Sequence, residues 1–256
     1  YPQMKVNLDH AEFTLGIEVR SVVSYIWTHH VPGLGGLPVG CNSNVLTLIS
    51  GGIDSPIAAL QVLKRGSNTS YVHFHGRPFV GEQVLEKIED LVRVVNRYCP
   101  TPLPLYVVPF GAIQEKIALV TNPKLRTLLY RRMMFRIANR LAFQIGAKAL
   151  VTGENLGQVA SQTVENLGAI DCVSDLPIIR PLITLDKREI IQKAKQFQTY
   201  EISIRPALDC CTLFADRHPS TRAWSTELEK QESRFDVKAF EEEAFSLIEI
   251  RKPWQS

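Results

Sequence analysis

Val45-Leu46-Thr47-Leu48-Ile49-Ser50-Gly51-Gly52-Ile53-Asp54-Ser55-Pro56 is the stretch on which the fold turns. Residues 45–49 read as a short strand with both faces apolar, and such strands belong to parallel sheets covered on both sides. The strand stops at two glycines, and Pro56 opens a helical segment at 56–65, since proline suits the first turn of a helix. The same alternation repeats along the chain. Apolar strand-like runs at 71–74, 105–108 and 149–152 are separated by helical segments at 82–97, 124–143 and 187–196. This order predicts an α/β fold built on a doubly wound parallel sheet from about residue 44 to about 220, with one or two charged helices after it. Toward the start of the chain the texture differs. Residues 1–40 alternate apolar and polar, as in Glu12-Phe13-Thr14-Leu15-Gly16-Ile17-Glu18-Val19, the pattern of an exposed antiparallel strand. They end in a Gly/Pro-rich run, 32–40, that reads as a linker or turn. The expected division is therefore 1–40 and 41–256.

At 256 residues and 45% hydrophobic, the chain can bury one full α/β core. No apolar run reaches the ~18 residues of a membrane-spanning helix. The opening Tyr1-Pro2-Gln3-Met4-Lys5 lacks the basic and apolar regions of a secretory signal, and it lacks an initiator Met, as a fragment would. Five cysteines are an odd number and no disulfide framework, which points to a reducing, cytoplasmic setting. A net charge of +3 allows nucleic-acid binding only through a local patch. Arg132, Arg136 and Arg140 recur every fourth residue, so on a helix they form a basic stripe opposite Met133, Ile137 and Leu141. Contact with phosphate and an ordinary solvated face are both open for that stripe. The run Glu241-Glu242-Glu243 reads as the wet face of an amphipathic helix.

Ligands of doubly wound sheets sit at the carboxyl ends of the strands, near the switch in strand order. The segment Ser50–Ser55 lies there. Gly51 and Gly52 let successive N–H groups turn toward an anion, and Ser50 and Ser55 add hydroxyl donors. The helix that follows presents its positive end to the same place. Asp54 would be repelled by bare phosphate, so it makes most sense as a Mg²⁺ ligand beside a polyphosphate. The Gly-Lys-Ser/Thr element of a Walker A loop is missing. Cys210-Cys211 stand in a loop-like stretch after Pro206, and no Cys-x-x-Cys pair supports a zinc or iron–sulfur site. A reactive thiol and a pair of small buried hydrophobes are the two readings of that pair. Cys41, Cys99 and Cys172 carry no motif.

Ser-Gly-Gly-x-Asp-Ser after a first strand resembles the PP-loop of the ATP pyrophosphatases, which cleave ATP between its α and β phosphates and adenylate a substrate. Further segments resemble one branch of them, the tRNA 4-thiouridine synthetases. They are the run 35–40, Tyr130-Arg131-Arg132-Met133-Met134, the long run from Thr152-Gly153-Glu154-Asn155 to Gln162-Thr163, residues 180–187, and Asp209-Cys210-Cys211-Thr212. The likeness covers about 33–222, and residues 1–40 resemble the closing strands of that family's RNA-binding THUMP domain.

The resemblance implies ATP and Mg²⁺ as cofactors. It implies nucleotide contacts at Leu48, Ile49, Ser50, Gly51, Gly52, Ser55, His73, Phe74, Arg131, Gly153 and Gln162. Lys187 would neutralise charge on the leaving pyrophosphate, and Asp54 would hold the metal. Cys211 aligns with the family's working thiol, with Cys210 as its neighbour. By the same resemblance, uridine 8 of tRNA is adenylated and its carbonyl oxygen replaced by sulfur. The implied partners are tRNA, a cysteine desulfurase as persulfide donor, the sulfur carrier protein ThiS and a second copy in a homodimer. Two other readings stay open: a PP-loop enzyme of the 2-thiouridine type, and a tRNA-binding protein without catalysis.

Overall fold

The computed structural model describes residues 5–7, 9–31, 33, 35–207, 213–214, 216 and 218–254. The chain divides into two compact units, one up to Gly35 and one from Gly36 onward. In the first, β1 (Gly16–Val19) and β2 (Ser24–Trp27) pair antiparallel, with Gly16 opposite Trp27 and Val19 opposite Ser24. The alternating pattern of that stretch predicts such pairing.

The second unit is built on a six-stranded sheet. Its strands are β3 (Leu37–Leu48), β4 (Arg65–His75), β5 (Leu105–Pro109), β6 (Leu150–Val151), β7 (Ile178–Ile179) and β8 (Glu249–Arg251), in the order β7-β6-β3-β4-β5-β8. All neighbours are parallel except β5 and β8. The chain runs outward from β3 through β4 to β5, then returns to the other side of β3 for β6 and β7. The strand order therefore reverses between β3 and β6, which is the doubly wound arrangement.

Alternate residues of each strand feed two separate cores. Leu46, Leu48, Val72, Phe74 and Val108 face the layer that includes α3 (Gly111–Val120) and α4 (Arg126–Ile145). Val45, Ile49, Tyr71, Leu105 and Val107 face the layer of α1 (Asp54–Lys64), α2 (Gln83–Asn96) and α6 (Lys187–Gln196). Apolar residues on both sides of a strand are what such a double covering demands.

Three features depart from the sequence reading. The run 32–40 is not linker throughout, because β3 begins inside it at Leu37. This early part pairs with β4 through register shifts, and Gly40 lies at φ 95°, a left-handed bend that suits a bulged strand. Second, the sheet is not wholly parallel: β8, only 3 residues long, adds an antiparallel edge beside β5. A strand this short leaves no periodic pattern to read.

Third, the basic stripe of α4 faces protein. Arg132 is 1% exposed, and its Nε and Nη2 donate to Glu232 at 2.9 and 2.7 Å. Arg136 reaches the same carboxylate at 3.0 Å, and Arg140 pairs with Glu242 at 2.8 Å. Glu232 ends α8 (Ser225–Glu232), and Glu242 lies on α9 (Val237–Ser246). The acidic run is likewise only partly wet, since Glu243 pairs with Lys116 of α3 at 2.7 Å. Helical spacing placed the arginines on one face correctly, but spacing carries no information on which element covers that face.

Removing one partner of a buried pair strands the other as an uncompensated charge, at a cost of about 3–5 kcal/mol. Glu232→Ala is expected to lose that much stability in urea unfolding, and Glu232→Ala with Arg132→Met to recover most of it. A single-variant loss below about 1 kcal/mol, the size typical of an exposed pair, contradicts the buried assignment.

Candidate nucleotide site at the strand-order switch

The loop between β3 and α1 is folded by its own serines. Ser50 N–H donates to Ser55 Oγ at 2.8 Å, Ser55 Oγ–H donates to the Ser50 carbonyl at 3.2 Å, and Gly52 N–H reaches Ser50 Oγ at 3.4 Å. No side chain caps the start of α1. The first N–H groups of an uncapped helix are free of intrahelical partners and favour an anion.

In front of this loop lies a cleft of about 280 Å³. Ligand pockets usually span ~300–1,000 Å³, so this is a small, open example. Leu48, Ile49, Ser50, Gly52, Asp54, Ser55, His73, Phe74, Arg131, Gly153 and Gln162 all line it. The structure thus gathers residues from the ends of β3, β4 and β6 with Thr127, Arg131 and Met134 from α4. Gly51 is not among the lining residues; it lies against the stem of Lys87. Lys187 opens α6 and reaches Asp54, its Nζ 2.6 Å from Oδ1. Cys210 and Cys211 lie outside the described residues.

Gly153 is where the two halves of the sheet meet most tightly. A Cβ there would fall 2.6 Å from the Ser55 nitrogen and 2.8 Å from the Asp54 carbonyl carbon. Only a residue without a side chain lets the end of β6 approach the start of α1. On the opposite wall His73 is buried and its Nδ1 is 3.0 Å from the Ile49 carbonyl, which ties β4 to β3. Phe74 packs edge-on against Phe110, centroids 5.3 Å apart.

Charges in the cleft are held in advance of any ligand. Asp54 accepts from Lys187 and, at 3.1 Å, from Gln158 Nε2. Glu154 is buried and bonded by Arg131, by Arg180 Nε at 2.6 Å and by Thr152 Oγ1 at 2.9 Å. Burial pushes the Glu154 carboxyl up, but Arg131 and Arg180 more than offset this and bring it below the ordinary value. Among the described residues no three His, Cys, Asp or Glu side chains converge as a metal cluster. A cation at Asp54 would have to complete its shell with phosphate oxygens and water, as Mg²⁺ commonly does.

Sequence reasoning missed Val72, Thr127, Met134, Thr152, Glu154, Gln158, Val159 and Ser161, which also line the cleft. Most of them fall inside the long 152–163 run, but nothing in that run distinguishes residues facing the cleft from their neighbours.

The family described as "Thiamine biosynthesis protein (ThiI)" matches residues 40–237. The chain belongs to that family. It is 44% identical over 246 residues to a probable tRNA sulfurtransferase of Macrococcus caseolyticus, covering 96% of this chain and 61% of that protein. It is 42% identical to a probable tRNA sulfurtransferase of Staphylococcus aureus strain N315, covering 96% and 60%. The chain therefore spans about three fifths of the length of these relatives. Among solved structures it is similar to a 4-thiouridine synthetase–RNA complex with bound ATP, at 43% identity and a TM-score of 0.91, over 98% of this chain and 66% of that one. An NMN synthetase of Francisella tularensis, 14% identical with a TM-score of 0.50 over 80% and 84% of the two chains, shares the fold.

Gly153→Ala forces the β6 end and the α1 start apart. The variant is expected to lose about 1–3 kcal/mol of stability, as overpacked sites do, and to lose ATP binding measured by calorimetry. Unchanged stability and unchanged binding would show that the two elements are not held at this distance.

Proposed function

We propose that this chain is the catalytic part of an ATP-dependent tRNA sulfurtransferase that adenylates uridine 8 and converts it to 4-thiouridine. The observation that carries the reading is the convergence, at the strand-order switch, of an uncapped helix start with Asp54, Lys187 and Arg131 around one cleft. The names of the relatives, and the ATP and RNA in the 4-thiouridine synthetase complex, support it.

On this reading the Ser50–Ser55 loop, with Gly51 and Gly52 at its tip, cradles the triphosphate through backbone N–H groups. Asp54 would hold Mg²⁺ beside the triphosphate, where the ion would offset phosphate charge. Lys187 then exchanges its carboxylate partner for the leaving pyrophosphate and offsets the charge that develops there. Leu48, Ile49, His73 and Phe74 hold the adenosine, while Arg131, Gly153 and Gln162 close the other side. The uridine O4 is the nucleophile of the first half-reaction. In the second, the outer sulfur of a persulfide supplied by a cysteine desulfurase attacks C4 and AMP leaves. The Cys211 thiolate then attacks the inner sulfur, which breaks the S–S bond, releases 4-thiouridine and leaves a disulfide on Cys211 for a thiol reductant, with Cys210 as its neighbour. Residues 1–40 would be the closing strands of a THUMP domain that grips the tRNA. Sulfur supply to the carrier protein ThiS, assembly as a homodimer and a cytoplasmic setting belong to the same proposal.

Two variants separate the half-reactions. Asp54→Ala is expected to abolish ATP–pyrophosphate exchange while leaving the fold intact, because a loop carboxylate contributes little to the core. Cys211→Ser is expected to keep ATP consumption and lose 4-thiouridine absorbance in tRNA, since serine forms neither persulfide nor disulfide. Exchange at the native rate in Asp54→Ala refutes the role of the loop. Full 4-thiouridine formation with both cysteines replaced refutes the thiol step.

A further inference from the structure

Glu154 is the most deeply placed carboxylate of the cleft, and its two oxygens are used differently. Arg131 of α4 donates to Oε1, whereas Arg180 Nε and Thr152 Oγ1 both donate to Oε2, at 2.6 and 2.9 Å. Arg180 follows β7 and does not itself line the cleft. Its remaining fork is taken by Asp171, at the end of α5 (Val164–Asp171), with Nη1 and Nη2 at 2.8 and 2.5 Å. A continuous row of alternating charge therefore runs from the cleft outward, Arg131, Glu154, Arg180 and Asp171, with side-chain exposures of 18, 4, 11 and 35%.

Two consequences follow from elementary electrostatics. A carboxylate gripped at one oxygen by two donors cannot rotate, so the other oxygen stays aimed at Arg131. Asp171 takes the outer fork of Arg180, so the row alternates two cations with two anions and holds the Arg131 guanidinium in one place at the cleft wall. The Phe135 ring, 5.4 Å from the Arg131 guanidinium carbon, adds a further support.

We propose that Arg180 is a positioning residue for Arg131, acting through Glu154, and that it gives the cleft a fixed cation for the anionic part of a nucleotide. The nucleotide is ATP on the reading given above, and the inference rests on that reading for its ligand alone. Among the described residues, Glu154 is paired with Arg131 from α4 and Arg180 after β7, and Asp171 from α5 is paired with Arg180 on its far side. Burial works against an ionised Glu154, and the two arginines reverse the balance. Take away Arg180 and burial regains weight, so the carboxyl titrates at higher pH.

The test compares the native chain with Arg180→Met and Arg180→Lys. Two quantities are measured: the Glu154 carboxyl titration, by carbon-13 NMR, and ATP affinity, by calorimetry between pH 5 and 8. In Arg180→Met the Glu154 titration is expected to move up and ATP affinity to fall about tenfold or more at neutral pH, the scale of one charge-assisted hydrogen bond. The ratio of variant to native affinity should worsen as pH falls, because protonated Glu154 releases Arg131. Arg180→Lys should recover part of both effects, having one cation for Oε2 but no fork for Asp171. In a Glu154→Gln background, Arg180→Met should add little further loss.

An unmoved Glu154 titration overturns the proposal, as does an affinity ratio that does not vary with pH. So does a full Arg180→Met effect in the Glu154→Gln background. If Arg180→Met does not fold, Arg180→Lys still reports the titration and the affinity ratio. Absence of ATP binding in the native chain, with the Glu154 titration moving as described, overturns the ATP reading and supports the positioning of Arg131.

Discussion

The end of β6 lies so close to the start of α1 that residue 153 has no room for a Cβ. Everything at the candidate site depends on that approach. The two strands that flank the switch, β3 and β6, come from distant parts of the chain, and the segments that follow them meet at Gly153 and at the Gln158–Asp54 hydrogen bond. The cleft lies over this meeting point, and Gly153 is among the residues that line it. On one side stands the loop at residues 50–55 with the first turn of α1. On the other stand Thr152, Glu154 and the segment through Gln162. A site assembled this way is rigid where two elements touch and open where they part, which suits binding of a ligand with one anionic end and one apolar end.

Electrostatics on this scaffold are arranged as pairs. Lys187 and Asp54 hold each other across the mouth, and the arginine-carboxylate row holds Arg131 in the wall. The two differ in character. The Lys187 side chain is 41% exposed, so its pair is easily exchanged when a stronger anion arrives, whereas Glu154 is 4% exposed and keeps its partners. One cation is therefore poised to move and the other to stay. Such a division gives the cleft one exchangeable and one fixed counter-charge for an anionic ligand.

Much of this was readable from residues alone, and the limits of the reading have physical causes. The strand–helix alternation gave the sheet because buried parallel strands must be apolar on both faces, as residues 45–49 and 71–74 are. Ser50–Ser55 was recognisable as a Gly-Gly-x-Asp run between a strand and a helix, although neither Gly51 nor Gly52 takes a left-handed conformation and a Cβ at either would meet only ordinary contacts. The basic stripe of α4 misled because a period of four residues defines a face and says nothing of what covers it; Glu232 lies 100 residues away from Arg132. Arg180 opens the 180–187 segment, yet its link to Asp171 and Glu154 could not be read for the same reason, since a charge row built from four separate elements leaves no local pattern. The short strands β7 and β8 owe their existence to their neighbours in the sheet rather than to their own sequence.

The central claim is that β3, β4 and β6 present one nucleotide site at the strand-order switch. Amide hydrogen exchange with and without ATP tests it most directly, because protection reports each segment separately. The account predicts that amides in 48–55, 73–74 and 152–162 gain protection together at the same ATP concentration. Protection confined to a single one of these segments would contradict it.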